Sequence, residues 1–374
     1  MNNSALKLFN SLSIPKDVFN PAAEIIPRAG DWNLILSPRA RGKTTNIILY
    51  GMCEYWTRGI QIQYIRQYDD MLTPSQVSDL FEVILKYGYI QKLTGGKYNS
   101  VKYWRRRWYL VNLDPDGNEV EKDPRAFMVC LAINREHDYR STYNAPEGDF
   151  IIVDEFMRAD KMYLRDEFLL LCNLLSTIIR DRTTAKIFLL ANLVDITCPY
   201  LAEMGISDIV KQMTFGDFKQ IKADNTVISI LLISPERTKN KSKSKYFGLW
   251  QNQRLTGITG AKGVWAIKIY PHAPKAPYKL VERSNLRCSD GWVCMELRAY
   301  GDGLYLMFYP IDIPLEDKIT YTTDDSLPFS TMRRYGLGYT YTDDIRKTLV
   351  QRKRCYYSDN TTGERVTSYF KSIR

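Results

Sequence analysis

Trp32-Asn33-Leu34-Ile35-Leu36-Ser37-Pro38-Arg39-Ala40-Arg41-Gly42-Lys43-Thr44 reads as a short buried strand running directly into a phosphate-binding loop. The apolar run has strand length, and Gly-Lys-Thr closes the loop as the motif requires. Backbone N–H groups of such a loop, together with the N-terminus of the helix that follows, form a cradle for phosphate. The expected phosphate-binding stretch is Ser37, Arg39, Ala40, Arg41, Gly42, Lys43, Thr44 and Thr45. Lys43 is expected to reach the β- and γ-phosphates, and the Thr44 hydroxyl to ligate Mg²⁺. Ser37 stands where the pattern has its first glycine, which is expected to tighten the loop by removing backbone freedom.

A phosphate loop needs acids, and Phe150-Ile151-Ile152-Val153-Asp154-Glu155 supplies them. Four apolar residues followed by two acids is a buried strand delivering carboxylates at its C-terminal edge, the Walker B pattern. Asp154 is expected to hold Mg²⁺, and Glu155 to polarise an attacking water. A solvated acidic pair at the end of a core strand is the simpler alternative, and the upstream Gly-Lys-Thr argues against it.

Two further segments sit where such a site would use them. Ile178-Ile179-Arg180-Asp181-Arg182 follows an apolar helix, so Arg180 fits either an ordinary charged helix end or a cation that stabilises transition-state charge at a neighbouring subunit's nucleotide. Leu189-Leu190-Ala191-Asn192 is a buried strand ending in an amide, which fits either a turn opener or a sensor of the γ-phosphate. Arg66, after the strand Gln61–Arg66, and Arg140 are further polar candidates near strand ends. Lys102-Tyr103-Trp104-Arg105-Arg106-Arg107-Trp108-Tyr109 interleaves cations with aromatics. A nucleic-acid surface and a hairpin with one charged and one packed face account for it equally well.

Around these motifs, strands at 32–36, 61–66, 149–153 and 186–192 alternate with helices at 44–55, 73–85 and 164–179. That alternation predicts an α/β domain with a mainly parallel sheet. Runs at 101–111 and 126–133, separated by Asp114-Pro115-Asp116-Gly117-Asn118, predict an inserted hairpin. The segment before residue 30 reads as an arm packed on this domain. The basic stretch 234–245 marks a linker. Beyond it, alternating runs at 264–270, 292–297 and 304–309 and a helix at 343–354 predict a smaller β-rich domain. The expected division is 1–215 for the ATPase domain with its arm, 216–256 for the linker and 257–374 for the C-terminal domain.

Composition bounds the function. A formal net charge of +10 suits a polyanionic partner, most simply nucleic acid, and equally suits general solubility. With only two histidines in 374 residues, a His-based metal site or Ser-His-Asp triad is nearly excluded. Seven scattered cysteines without a Cys-x-x-Cys pair argue against zinc or a disulfide framework. The chain shows neither a signal-peptide pattern nor an apolar run of spanning length, so a cytoplasmic protein without membrane contact is expected.

Taken together, these residues resemble the genome-packaging ATPases of small tailed phages of the Picovirinae type. That family lies within the ring-forming ASCE translocases that include large terminases and FtsK/HerA-like pumps. The resemblance rests on Arg39 in the loop, on Tyr64-Ile65-Arg66-Gln67-Tyr68, and on Asp154-Glu155-Phe156 with Arg158. Its most specific stretch is Leu174 to Tyr200. It implies an ATPase, with Mg²⁺, that pumps double-stranded DNA into a preformed procapsid from the host cytoplasm. The implied partners are a portal, in some relatives a packaging RNA, and further copies of the chain in a ring, a pentamer by resemblance. It assigns the trans-acting arginine to Arg180, the strand-end Asn to Asn192, and a second cation near the neighbour's ATP to Arg140. It also implies that the C-terminal domain is RNase H-like and without nuclease activity, since Glu282, Asp290, Glu296 and Asp302 form no two-metal pattern. The rival readings are a nuclease-competent large terminase and a nucleic-acid-binding scaffold with a vestigial ATP site.

Overall fold

The computed structural model describes residues 3–14, 20–37, 42–140, 143–194, 198–233, 270–273, 277–288, 291–301, 303–323, 327, 332–334, 336–337 and 340–372. The chain forms two compact units, one built from 1–157, 166–194 and 212–264, the other from 158–165, 195–211 and 265–374.

The first unit begins with helices α1 (Asn3–Ser11) and α2 (Pro21–Ile25), which lead into strand β1 (Trp32–Ser37) and helix α3 (Lys43–Arg58). Ala5, Phe9 and Leu12 from the N-terminal segment are buried against α3, as expected of an arm packed on the domain. Gly42 precedes α3 in the left-handed region at φ 66, a conformation that favours glycine. Gly59 ends α3 in the same region at φ 74, its N–H donating to the Tyr55 carbonyl over 2.8 Å.

Strand β2 (Ile62–Arg66) follows, and then a segment expected to be one helix. It is broken into α4 (Pro74–Val77), a 3₁₀ turn at Ser78–Phe81 and α5 (Glu82–Lys86), followed by α6 (Tyr89–Thr94). Strands β3 (Ser100–Trp104), β4 (Arg107–Leu113), β5 (Glu119–Lys122) and β6 (Met128–Ala132) come next. The run 101–111 is thus two strands, turning at Arg105 and Arg106, with φ of 49 and 62. Both central residues are left-handed, as a two-residue hairpin turn demands, yet the turn contains neither Gly nor Asn.

Helix α7 (Glu136–Tyr139), strand β7 (Phe150–Asp154), helix α8 (Glu167–Ile179) and strand β8 (Lys186–Asn192) complete the alternating pattern. After the short helices α9 (Pro199–Glu203) and α10 (Ser207–Gln212), strands β9 (Phe218–Ala223) and β10 (Thr226–Leu232) return to the first sheet. The sheet order is β3-β4-β6-β2-β7-β8-β1-β10-β9, with β5 beside β4. All pairs from β6 to β10 along this order are parallel. The α/β expectation holds, but its boundary at 215 does not. β10 pairs in parallel with β1, Ile228 to Leu232 lying opposite Trp32 to Leu36, so residues 218–232 are sheet rather than linker.

The sheet interior explains the apolar runs. Leu34, Ile35 and Leu36 are wholly buried, as are Ile151 and Ile152. Each such side chain contributes roughly 1.5–3 kcal/mol by leaving water. The core also holds the key polar positions: with β8 between β1 and β7, the C-terminal ends of the three strands lie side by side.

The second unit is β-rich. Strands β11 (Lys279–Cys288), β12 (Gly291–Tyr300) and β13 (Gly303–Ile311) form an antiparallel meander. β14 (Thr320–Tyr321) adds in parallel to β11, and β15 (Arg333–Arg334) to β14. Helix α11 (Tyr341–Gln351), strand β16 (Cys355–Tyr357) and helix α12 (Asn360–Ser372) finish it, with β16 parallel to β13. Leu286, Val293, Met295, Leu306, Phe308 and Tyr321 make its core. The segment after β7 counts with this unit, where Lys161 is paired with Glu364 on α12. The expected run 264–270 lies almost wholly outside the described residues. Among the described residues no helix is long and apolar enough to cross a membrane.

Candidate nucleotide site

The site grows from three strand ends. β1 delivers Ser37, β8 delivers Asn192 directly opposite it, and β7 delivers Asp154. Helix α3 starts beside them with Lys43 and Thr44 in its first turn. Lys43 is 8% exposed, and its ammonium donates to Ser37 Oγ at 2.7 Å and to Asn192 Oδ1 at 3.0 Å. The Thr44 hydroxyl lies 3.1 and 3.2 Å from the two Asp154 carboxylate oxygens, a span of 110 residues in sequence. Thr45 follows in the same helical turn. Arg39, Ala40 and Arg41 lie outside the described residues.

Glu155 has φ 57, an uncommon conformation for a residue with a side chain. Leaving β7 this way turns its carboxylate, 57% exposed, onto Arg66 at the end of β2, where Arg66 Nη2 donates to Glu155 Oε2 at 2.6 Å. Arg66 Nη1 also stands 3.7 Å from Asp154 Oδ2 and donates to Tyr64 Oη at 3.3 Å. The Tyr64 hydroxyl in turn donates to Asp154 Oδ2 at 2.8 Å. Burial, reinforced by the Asp154 charge, pushes the Tyr64 phenol well up, so it stays protonated and able to donate. Burial works against the Arg66 charge, but Tyr64, Asp154 and Glu155 more than offset it and hold the guanidinium firmly protonated.

The structure therefore brings together Ser37, Gly42, Lys43, Thr44, Asp154, Glu155 and Asn192. Sequence reasoning marked Arg66 only as a polar strand end and gave Tyr64 no role. The available signal was alternation, since Tyr64 and Arg66 are two apart on β2 and so share a face. Two other predicted residues are elsewhere. Arg180 terminates α8, which returns from the β7 end to the start of β8, and its Nη2 reaches the Tyr143 carbonyl at 3.4 Å. Its neighbour Arg182 pairs with Asp149, which precedes β7. Arg180 is thus at the edge where the parallel strands start, away from Lys43 and Asp154 where they end. Arg140, exposed, donates to the buried Glu136 one turn earlier in the chain, with Nε 2.6 Å from Oε1. Arg140 is not joined to the Lys43–Asp154 cluster.

The interleaved segment divides along its two faces. Tyr103 donates to the Leu72 carbonyl at 2.6 Å, Trp108 is buried, and Arg106 is tied to Asp69 at 2.6 Å. Trp104, 49% exposed, carries the Arg105 guanidinium 4.5 Å from its ring centroid.

Residues 126–241 match the family model described as Podovirus DNA encapsidation protein (Gp16). No curated protein matches the chain. Among solved structures, the Phi-28 gp11 DNA packaging motor superposes with a TM-score of 0.58 at 16% identity, covering 96% of this chain and 99% of that one. The bacteriophage Phi-29 viral genome packaging motor assembly gives 0.57 at 17% identity, covering 96% and 100%. At these identities the likeness is one of fold, and it extends over nearly the whole chain. The matched stretch 126–241 contains Asp154-Glu155-Phe156, Arg158 and the 174–200 run on which the resemblance to phage genome-packaging ATPases partly rests, and the likeness to the two packaging-motor structures is one of fold.

Proposed function

We propose that the chain is the ATP-hydrolysing subunit of a ring motor that drives double-stranded DNA through a portal into a procapsid. The observation that carries this reading is the convergence of Lys43, Thr44, Asp154, Glu155 and Asn192, scattered over 150 positions of sequence, at one edge of one sheet. The donor set fits the group it would hold. A hydroxyl and a carboxylate facing each other offer hard oxygen ligands suited to Mg²⁺, and a buried ammonium with a helix N-terminus suits phosphate.

Bound ATP supplies a γ-phosphoryl group whose transfer to water releases the free energy for movement. This chain's residues provide the rest. Thr44 and Asp154 would hold the metal, and Tyr64 orients the carboxylate from behind. Lys43 places positive charge at the phosphates, and Asn192 fixes its head. Glu155 orients the water. Its ion pair with Arg66 holds it until that pair opens, which makes Arg66 a positioning residue. In this reading Arg180, which lies on the opposite edge from Lys43 and Asp154, serves a neighbour rather than its own subunit, and Arg140 is a second candidate for that role.

DNA is held through its phosphates rather than its bases, because a packaging motor must accept any sequence, and its affinity falls steeply with salt. The second unit fits an RNase H-like reading, an antiparallel meander extended in parallel by β14 and then β15 beyond its first strand, with β16 on the other edge. Its acids support the absence of cutting. Glu296 accepts from Arg283, Arg298 and Tyr309, and Glu282 pairs with Arg346 at 3.1 Å. Asp290 and Asp302 lie outside the described residues. A pentameric ring and a packaging RNA belong to this proposal as well.

The test is an ATPase assay, with DNA and portal present, in which Arg180→Ala subunits are mixed with Glu155→Gln subunits. A shared site is expected to regain activity in the mixture, because an Arg180→Ala subunit keeps its own Glu155 and can take Arg180 from an adjacent Glu155→Gln subunit. A mixture no more active than the two variants assayed separately would overturn the shared site.

A further inference from the structure

We propose that Ser37 is a positioning residue that presets the Lys43 ammonium for a polyphosphate chain. This rests on the ATP-binding reading above and adds a role specific to this chain's departure from the loop pattern.

The first glycine of a phosphate loop is expected to supply backbone freedom, and Ser37 does not need it. It is the last residue of β1, opposite Asn192 on β8, and its carbonyl accepts from the Leu193 N–H at 3.1 Å. Its φ is not among the positive values, so a side chain is accommodated without strain. At position 37 itself, then, the backbone does not call for glycine. What the serine adds is its hydroxyl.

That hydroxyl is fully buried and accepts from Lys43 Nζ at 2.7 Å, while Asn192 Oδ1 accepts at 3.0 Å. The lysine head is thereby pinned across the seam between β1 and β8 before any ligand arrives. A flexible four-carbon stem otherwise loses much of its rotamer freedom on binding, and fixing it beforehand lowers that cost. Both of these acceptors are neutral, so they orient the ammonium without cancelling its charge, leaving it to attract an anion. Glycine or alanine at 37 would leave the amide to hold the lysine without the hydroxyl.

Two measurements test this on the full chain. Without nucleotide, Lys43 should react several-fold faster with an amine-acylating reagent in Ser37→Ala than in wild type, other lysines keeping their rates. With nucleotide, Ser37→Ala and Ser37→Gly should each weaken a nonhydrolysable ATP analogue about tenfold, roughly 1.4 kcal/mol, as loss of a hydrogen bond to a charged group implies. AMP affinity should change less than twofold, and Ser37→Thr, which keeps the hydroxyl, should restore the analogue's affinity. A purely structural role would weaken AMP and the analogue alike, and that result would overturn the proposal. So would unchanged Lys43 labelling, or an analogue that binds the alanine variant as tightly as wild type or more so. If wild type fails to bind the analogue while Lys43 labelling still responds to Ser37→Ala, the ATP reading fails and the Ser37–Lys43 contact stands.

Discussion

In the first unit Arg66 sits among Tyr64, Asp154 and Glu155; in the second, Arg346 sits among Tyr321, Asp343 and Ser284. The chemistry of the two groups is nearly the same. Their surroundings differ. Arg346 and Asp343 are wholly enclosed, and Arg334 adds a second cation to Asp343 at 2.8 Å. Burial, with the Asp343 carboxylate beside it, pushes the Tyr321 phenol up to about 12, so this group stays a neutral hydroxyl within the network. Glu282 on β11 also pairs with Arg346 and is 38% exposed, so the enclosure lies in the Arg346–Asp343 pair itself, whereas around Arg66 the Glu155 carboxylate is more than half exposed. The more enclosed network holds helix α11 on the sheet through the Arg346 bond to Ser284 on β11. An open one can trade partners, which a site that must bind, react and release requires.

The comparison breaks first if the more enclosed network proves dispensable. Asp343→Ala would leave Arg346 and Arg334 as buried or half-buried cations without their shared carboxylate, and loss of one member of a buried pair costs about 3–5 kcal/mol. Urea denaturation of the full chain should show that loss in the transition of the second unit. A change below about 1 kcal/mol would mean the network does not hold the unit together.

At the open network the same kind of substitution should move rate instead of stability. Glu155→Gln keeps the side chain's size and removes the carboxylate. Turnover is expected to fall by roughly 10²–10⁴-fold, the usual contribution of a positioned acid–base group. The unfolding midpoint should stay where a surface substitution leaves it, within about 0.5 kcal/mol. Turnover within tenfold of wild type would remove Glu155 from the chemistry and favour the vestigial-site scaffold.

Tyr64→Phe sharpens the contrast from the other side of the same cluster. It deletes the hydroxyl that donates to Asp154 at 2.8 Å and leaves the ring in place. Groups that orient a metal ligand are typically worth 10–100-fold in metal affinity or activity. We expect about a tenfold rise in the Mg²⁺ concentration needed for half-maximal nucleotide binding. No shift would show that Asp154 is set by the sheet alone.

These two networks also mark where sequence is informative and where it is silent. Lys43 and Thr44 were legible because they close a loop motif that follows an apolar strand, and Asp154-Glu155 because they end one. Asn192 was legible for the same reason. Tyr64 and Arg66 belong to the Tyr64–Tyr68 run on which the resemblance partly rests, but their contacts depend on β2 lying next to β7, a neighbourhood that no local pattern encodes. The Arg105-Arg106 turn was missed because it lacks the glycine or asparagine that usually announces a hairpin. β9 and β10 fall beyond the expected boundary at 215 because the parallel pairing of β10 with β1 is long-range and leaves no local signal. In the second unit, Asp343 and Arg346 lie in a stretch expected only to be helical, with no role marked for either. Only the packing of α11 shows that they are interior.

The smallest expected effect concerns a third acid–arginine group, around Glu296 on β12. Burial alone would raise this carboxyl, yet hydrogen bonds from Arg283, Arg298 and Tyr309 outweigh it and hold the group below the usual carboxylate range. A carboxyl depressed in the folded state binds its proton more readily when unfolded, so stability falls as pH falls. Its contribution is complete above the unfolded value, near 4.3, and is lost as pH drops through the lower folded value. Arg283 is about half exposed, so solvent screens part of the interaction and the effect should be modest. Acid titration of unfolding free energy for wild type and Glu296→Gln isolates it from the other carboxylates. The two curves should lie apart at neutral pH and converge below pH of about 4. Curves that stay parallel through that window would show that the two arginines do not stabilise the Glu296 charge, and that this group, unlike Asp343, is an incidental pairing.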